Sequence, residues 1–144
     1  MGVEPQVRKA FAYVTRRAPG GHELLVFRSL DEPEGFEVPK GAVNPGETFE
    51  EGARRELFEE TGLENLVALA ELGTTWYGEE EQRFFHFAAP NDIPARFSHT
   101  VTGRDGDAGE VYDLRFLPID DRLAARLVQG SDAFVNALRR RLAA

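Results

Sequence analysis

An α/β domain of the α+β kind is what this sequence predicts, on three observations. Apolar and aromatic runs of strand length recur on both sides of residue 50. One uninterrupted, capped helical stretch lies between them, and helical spacing returns only near the C-terminus. The 144 residues, 42% of them hydrophobic, fit one domain built on a single core, taken as residues 1–144.

The run VRKAFAYV (7–14) is apolar with partial alternation, and HELLVFRS (22–29) follows it after APGG, so the two read as strands joined by a turn. GFEVPKG (35–41) reads as a short strand stopped at Pro39, because proline lacks the amide proton that a continuing ladder requires. A loop with Asn44, Pro45 and Gly46 comes next. Thr48 then offers a hydroxyl as N-cap with Glu51 three residues on, a capping box, and 49–61 is free of proline and rich in helix formers. Gly62 is the expected C-cap. Further strands are predicted at 66–77, 82–89 and 111–118. The interval 90–110, with two prolines and three glycines, reads as a long polar loop over a site. Residues 119–129 and 131–143 carry helical spacing, with Ser131 as the cap of the second stretch.

The formal net charge of −8, from 25 acidic and 17 basic residues, disfavours nonspecific gripping of a nucleic-acid backbone, so no nucleic-acid polymer is expected as partner. It leaves nucleotides open, because divalent cations can sit between an acidic site and a polyphosphate. Cysteine is absent, which removes disulfides, thiolate zinc sites and cysteine nucleophiles together. With no apolar signal segment at the N-terminus and no run near the roughly 20 residues needed to span a bilayer, a cytoplasmic protein without membrane association is expected.

The helix at 49–61 holds the chemistry. Glu56, Glu59 and Glu60 are spaced three and four apart, so they project within about 100° of one another. Their repulsion costs about 0.2–0.5 kcal/mol per exposed pair, and more on a partly buried face, so solvent or a cation must offset it. Gly52 shares this sector and leaves space for a ligand or neighbouring backbone, while Ala53 and Leu57 supply the stripe that docks the helix. Three convergent carboxylates suit magnesium or manganese; zinc would want His or Cys, and the chain has only three His. A plain solvated acidic face is the competing reading.

The fixed spacing decides between them. From Gly41 to Leu63 the chain reads Gly, five residues, Glu47, seven residues, Arg55-Glu56, Leu57, any residue, Glu59-Glu60, any residue, Gly62, Leu63. This resembles the Nudix box, the signature of the Nudix hydrolases, at all nine specified positions. The resemblance implies an α/β/α sandwich with a central mixed β-sheet. It implies an enzyme, a pyrophosphohydrolase acting on phosphorus-containing anhydrides, that cuts a pyrophosphate bond in a nucleoside diphosphate linked to a further group, with Mg2+ as cofactor and Mn2+ able to substitute. It also implies roles: Glu59 and Glu60 as main metal ligands, Glu56 as a further ligand or the base that handles the water, the Gly41 carbonyl as another ligand, and Arg55 as the residue pinning Glu56 or Glu47. Many relatives are dimers, so a homodimer is allowed, although the sequence itself fixes no oligomeric state.

Outside the box, relatives often draw a further ligand or base from a later loop. Asp105, Asp107 and Glu110 are available, with Glu110 the first choice because it directly precedes a predicted strand, which would fix its direction, and Asp105 second. Trp76 and Tyr77 could stack a base, although the one tryptophan of a small domain is more often core. Phe84, Phe85 and Phe87 read as sheet packing, with His86 facing the opposite side. Arg28, Lys40 and Arg83 are candidate phosphate contacts, each near a strand end or the box, or else ordinary surface charges. The VPKG entry to the box resembles relatives acting on dinucleoside polyphosphates. Nucleoside triphosphates, oxidised ones included, come next as substrates, then sugar nucleotides such as ADP-ribose. The alternatives of another class are a non-catalytic nucleotide-binding module on the same fold and a purely structural acidic protein.

Overall fold

A computed structural model describes residues 7–30 and 35–144. Its strands are β1 (Arg8–Ala18), β2 (Gly21–Ser29), β3 (Lys40–Ala42), β4 (Val67–Tyr77), β5 (Glu80–Ala88), β6 (Arg96–Thr100) and β7 (Val111–Pro118). The helices are α1 (Phe49–Thr61), a single turn α2 (Leu123–Arg126) and α3 (Val135–Ala143). The seven strands form one mixed sheet in the order β4-β5-β1-β2-β7-β6, with β3 attached to β1. Among the described strands β1 and β5 run parallel, and the other neighbouring pairs are antiparallel.

The centre of this sheet explains why VRKAFAYV alternates poorly. Ala10, Ala12 and Val14 point into a core beneath α1, with Leu25, Val43, Ala53 and Leu57. Phe11 and Tyr13 point into a second core on the other face, with Val26, Val38, Leu123 and Leu138. A strand covered on both faces has no polar side to show. The result is a three-layer arrangement, with α1 on one face of the sheet and α2 and α3 on the other.

The arrangement around β1 creates the site. β5 pairs with β1 from Arg8 to Thr15. The opposite edge is divided: β3 takes Lys9 to Phe11, and β2 takes Thr15 to Ala18. Between these partners Ala12 donates its amide to the Pro39 carbonyl at 2.9 Å. A cleft opens there, lined by Phe27 of β2, by β3, and by Glu56 and Glu60 from the second half of α1.

The helix keeps the predicted bounds and caps. The Thr48 hydroxyl accepts from the Glu51 amide while the Glu51 carboxylate accepts from the Thr48 amide, and Gly62 closes the last turn in the left-handed region at φ 78°. Three other expectations are corrected. The segment at 35–41 does not form a strand stopped by Pro39: Phe36 and Glu37 make only isolated bridges, and regular pairing begins after the proline, at Lys40. Pro39 cannot donate, yet its carbonyl still serves β1. The stretch 90–110 is not all loop, since β6 lies inside it and pairs with β7 from Arg96 to Thr100. This strand is exposed on alternate residues, and its charged and hydroxyl side chains mask the signal. Ser131 caps no helix. It is buried, its hydroxyl accepts from the Val38 amide at 3.2 Å, and its carbonyl accepts from the Tyr13 hydroxyl at 2.6 Å. Among the described residues no helix is long and apolar enough to cross a membrane.

Candidate active site

The capping box fixes where α1 starts, and packing of Ala53 and Leu57 fixes its rotation. Glu56 and Glu60 are thereby turned inward and are 2% and 4% exposed, while Glu59 stands at the rim. Glu60 Oε1 accepts from the Lys40 amide at 2.9 Å, which ties the helix to β3. Gly41 lies directly over Glu56: a Cβ there would run into the Glu56 carboxyl group, so only glycine lets backbone and carboxyl approach this closely. Gly52 serves a similar purpose farther up, and its missing Cβ makes room for Val43 rather than for a ligand.

Arg55 holds the acidic cluster together. Its Nε and Nη2 donate to the two Glu47 oxygens at 2.8 and 3.1 Å, its Nη1 donates to Glu56 at 2.9 Å and Glu59 at 3.2 Å, and its Nη2 also reaches the Ala42 carbonyl at 2.7 Å. Glu47 is accordingly held below the usual carboxylate range, chiefly by the hydrogen bonds from Arg55. The others go the opposite way. Burial pushes Glu56 up to about 8, with Asp105 adding to the shift and Arg55 opposing it. Burial raises Glu59 and, much more strongly, Glu60. Three carboxyl groups sit where their charge is penalised; the Arg55 guanidinium opposes this at Glu56 and Glu59, and the Lys40 amide opposes it at Glu60.

The later loop joins the site through β6. His99 Nε2 donates to the Glu59 carbonyl at 3.0 Å, and the Thr102 amide donates to the same oxygen at 3.0 Å. These bonds satisfy a carbonyl left over at the helix end and anchor the following loop there. Gly103 then passes so near the Glu59 carboxyl that a side chain would clash. Oxygens of Glu56, Glu59 and Asp105 all lie within 4.8 Å of one another. Asp107 accepts from the Tyr112 hydroxyl at 2.9 Å and lines the same cavity of about 300 Å³ as Lys9, Lys40, Gly41 and Glu60. Glu110, the first choice from sequence, is exposed and borders a different hollow beside Leu30 and Val111. An oxygen-only donor set of this density, partly buried and underneutralised, fits a hard divalent cation.

A match to the NUDIX domain family model extends over residues 6–138. The chain belongs to the NUDIX family. The RNA pyrophosphohydrolase of Afipia carboxidovorans is 38% identical over 69 residues, 48% of this chain and 37% of that protein. That of Rhodospirillum rubrum is 32% identical over 90 residues, 59% of this chain and 54% of the relative. The chain thus spans between about a third and a half of these curated relatives. Among solved structures, a C. elegans Ap4A hydrolase in a binary complex superposes with a TM-score of 0.68 at 18% identity, covering 95% of this chain and 98% of that one, which shows a shared NUDIX fold.

The remaining candidates divide. Lys40 lines the NUDIX cleft, with Nζ 3.6 Å from Glu37. Arg28 instead approaches Asp113, at 3.8 Å, and lies over the Phe36 ring in the second core. Arg83 packs on the Phe49 ring and pairs with Glu81 and Glu71, away from the carboxyl cluster. Trp76 is not core: it is 52% exposed at the lip of a second cavity. The phenylalanines of β5 do pack in the sheet, Phe84 in one core and Phe85 and Phe87 in the other. Lys9 was missed from the sequence. Its only signal is its register, opposite Ala42 of the box loop, which no local pattern reveals. A cavity of about 510 Å³ between His22 and α3 contains no carboxyl cluster.

Proposed function

We propose that this NUDIX protein is a divalent-metal-dependent pyrophosphohydrolase that cuts a pyrophosphate bond in a nucleoside diphosphate linked to another group, a dinucleoside polyphosphate being the leading candidate. The observation that carries this reading is the approach of Glu56, Glu59 and Asp105 to within 4.8 Å, in a cleft that also holds two lysines. Glu56, Glu59 and Asp105, with Glu60 and the Gly41 carbonyl beside them, would hold Mg2+ or Mn2+. The bound ion would offset phosphate charge and acidify water at the cleft floor.

The chain's own groups do the rest. Lys9 and Lys40, which line the same cleft as the carboxyl groups, bind phosphate oxygens and orient the polyphosphate there. Arg55 sets the directions of Glu47, Glu56 and Glu59, so it is a positioning residue. Glu56 meets Glu59 and Asp105 in the carboxyl cluster and would be kept ionised by the cation it helps to hold. Asp105 replaces Glu110 as the residue supplied by the later loop.

A second reading is favoured by the curated relatives, which are named RNA pyrophosphohydrolases. The anhydride would then lie at the 5′ end of an RNA. Both readings are tested by chromatography of products from dinucleoside polyphosphates, nucleoside triphosphates, ADP-ribose and 5′-triphosphorylated RNA, with magnesium and with EDTA. Magnesium-dependent cleavage of an anhydride supports the enzyme, and the preferred substrate separates the two readings. Nucleotide binding without turnover of any substrate would leave a non-catalytic module instead.

A further inference from the structure

Next to the catalytic cleft lies a larger cavity of about 410 Å³, and the two share Lys9 and Lys40 as common wall. Its floor is Phe11, a buried ring stacked on Phe84 with centroids 4.2 Å apart. Trp76 forms its lip and is half exposed, an unusual position for the one tryptophan in the chain. A flat, rigid floor and an open indole at the rim suit a planar aromatic ligand.

Two side chains that line this cavity keep an acceptor oxygen in hand. Gln82 is nearly buried and donates its amide nitrogen to Glu80, which leaves the amide oxygen to accept. Asp132 uses Oδ1 to accept from the Gly130 amide at 3.0 Å, leaving the second oxygen to accept as well. Two acceptors call for a base edge rich in N–H donors, as in guanine or adenine; uracil offers a single N–H between two carbonyls. The two lysines are about one-third exposed, and each has a rim carboxylate, Glu80 at 3.3 Å from Lys9 and Glu37 at 3.6 Å from Lys40. Such exposed pairs are weak, so either ammonium can turn to a phosphate at little cost.

We propose that this second cavity receives an amino-bearing purine, held between Phe11 and Trp76 and read by Gln82 and Asp132, while the polyphosphate of the same molecule passes under Lys9 and Lys40 toward the NUDIX helix. The direction of the polyphosphate rests on the pyrophosphohydrolase reading above; the base pocket does not.

Trp76 emission reports the pocket directly, because no other tryptophan contributes. The full chain is titrated with uncleavable, methylene-bridged triphosphates of guanosine, adenosine and uridine, and with inorganic tripolyphosphate. Both purine analogues quench the emission with Kd at least about tenfold below those of the uridine analogue and tripolyphosphate. Asp132→Asn, which retains the Gly130 bond through its amide oxygen, brings that ratio down to about threefold or less. Absence of quenching by either purine at millimolar concentration, equal Kd for all four probes, or a ratio unchanged in Asp132→Asn overturns the proposal. Because the probes resist cleavage, a failure of turnover in the substrate panel would sink the enzyme reading without touching this titration. A flat titration alongside normal turnover would sink the pocket alone.

Discussion

Arg55 grips Glu47 with two prongs, Nε to Oε2 at 2.8 Å and Nη2 to Oε1 at 3.1 Å, across the loop that precedes the helix. The same guanidinium reaches Glu56 and Glu59, so one side chain sets the geometry of three carboxylates from the box.

Lysine in place of this residue keeps the charge but cannot reproduce a planar fork with several fixed N–H directions. Arg55→Lys is expected to lower kcat by about tenfold or more, with a far smaller change in KM, since the lost contacts position carboxylates and do not bind substrate. Steady-state kinetics with the preferred nucleotide, alongside a melting curve, checks this. Undiminished kcat would show that the three acids need no such anchor.

Glu60 is buried, and that burial raises its carboxyl well above the usual carboxylate range. Glu60→Gln is isosteric and can keep the bond from the Lys40 amide through its own amide oxygen, so the metal-free Tm stays near that of the wild type. Saturating magnesium at 100 times Kd stabilises the wild type by about 2.7 kcal/mol by mass action. The variant is expected to lose most of that gain, together with most of its turnover. An equal magnesium-induced rise in both proteins would remove Glu60 from the ligand set.

Ser131 is 1% exposed and accepts from the Val38 amide. Ser131→Ala leaves that buried N–H without its partner and should destabilise the fold by about 1–3 kcal/mol. Urea denaturation measures this directly. Because Ser131 bonds to Val38 and Tyr13 and not to the carboxyl cluster, kcat at permissive temperature should stay near the wild-type value.

His86 provides a pH test remote from the carboxyl cluster. Arg141 Nε donates to its Nδ1 at 3.2 Å, so the neutral ring carries its proton on Nε2 and donates it to the Thr15 hydroxyl at 2.7 Å. Burial, with Arg141 and His22 nearby, lowers the imidazole from 6.5 to about 4. Above pH 6.5 the ring is neutral folded or unfolded, and its contribution is complete. As pH falls from 6.5 toward about 4 the unfolded chain takes up a proton that the folded ring refuses, and stability is lost across that window. The difference in unfolding free energy between wild type and His86→Gln, measured from pH 7.5 downward, should shift steadily against the wild type over this window. A difference that does not vary with pH would mean the ring protonates freely in the fold.

The helix and its acidic face were legible before any tertiary contact was known. Caps, turns and the angular grouping of Glu56, Glu59 and Glu60 depend on neighbours within four residues, and the box spacing ties Gly41 and Glu47 to them through a short loop. The ends of β1, β2, β4, β5 and β7 were read to within a few residues for a related reason, since apolar runs bounded by turn residues are local features. What the sequence did not disclose depends on strand register over long separations. β6 is visible only as the partner of β7, and it brings Asp105, and not Glu110, to the carboxyl cluster. Lys9 joins the cleft because β1 divides one edge between β2 and β3, and Trp76 stands at a pocket lip because β4 ends the sheet. By itself, the sequence determined the acidic helix and the family, because those are written in short-range spacing. Only the folded sheet decided which distant side chains complete the cleft, because pairing energies between strands are spread over many residues and leave no local mark.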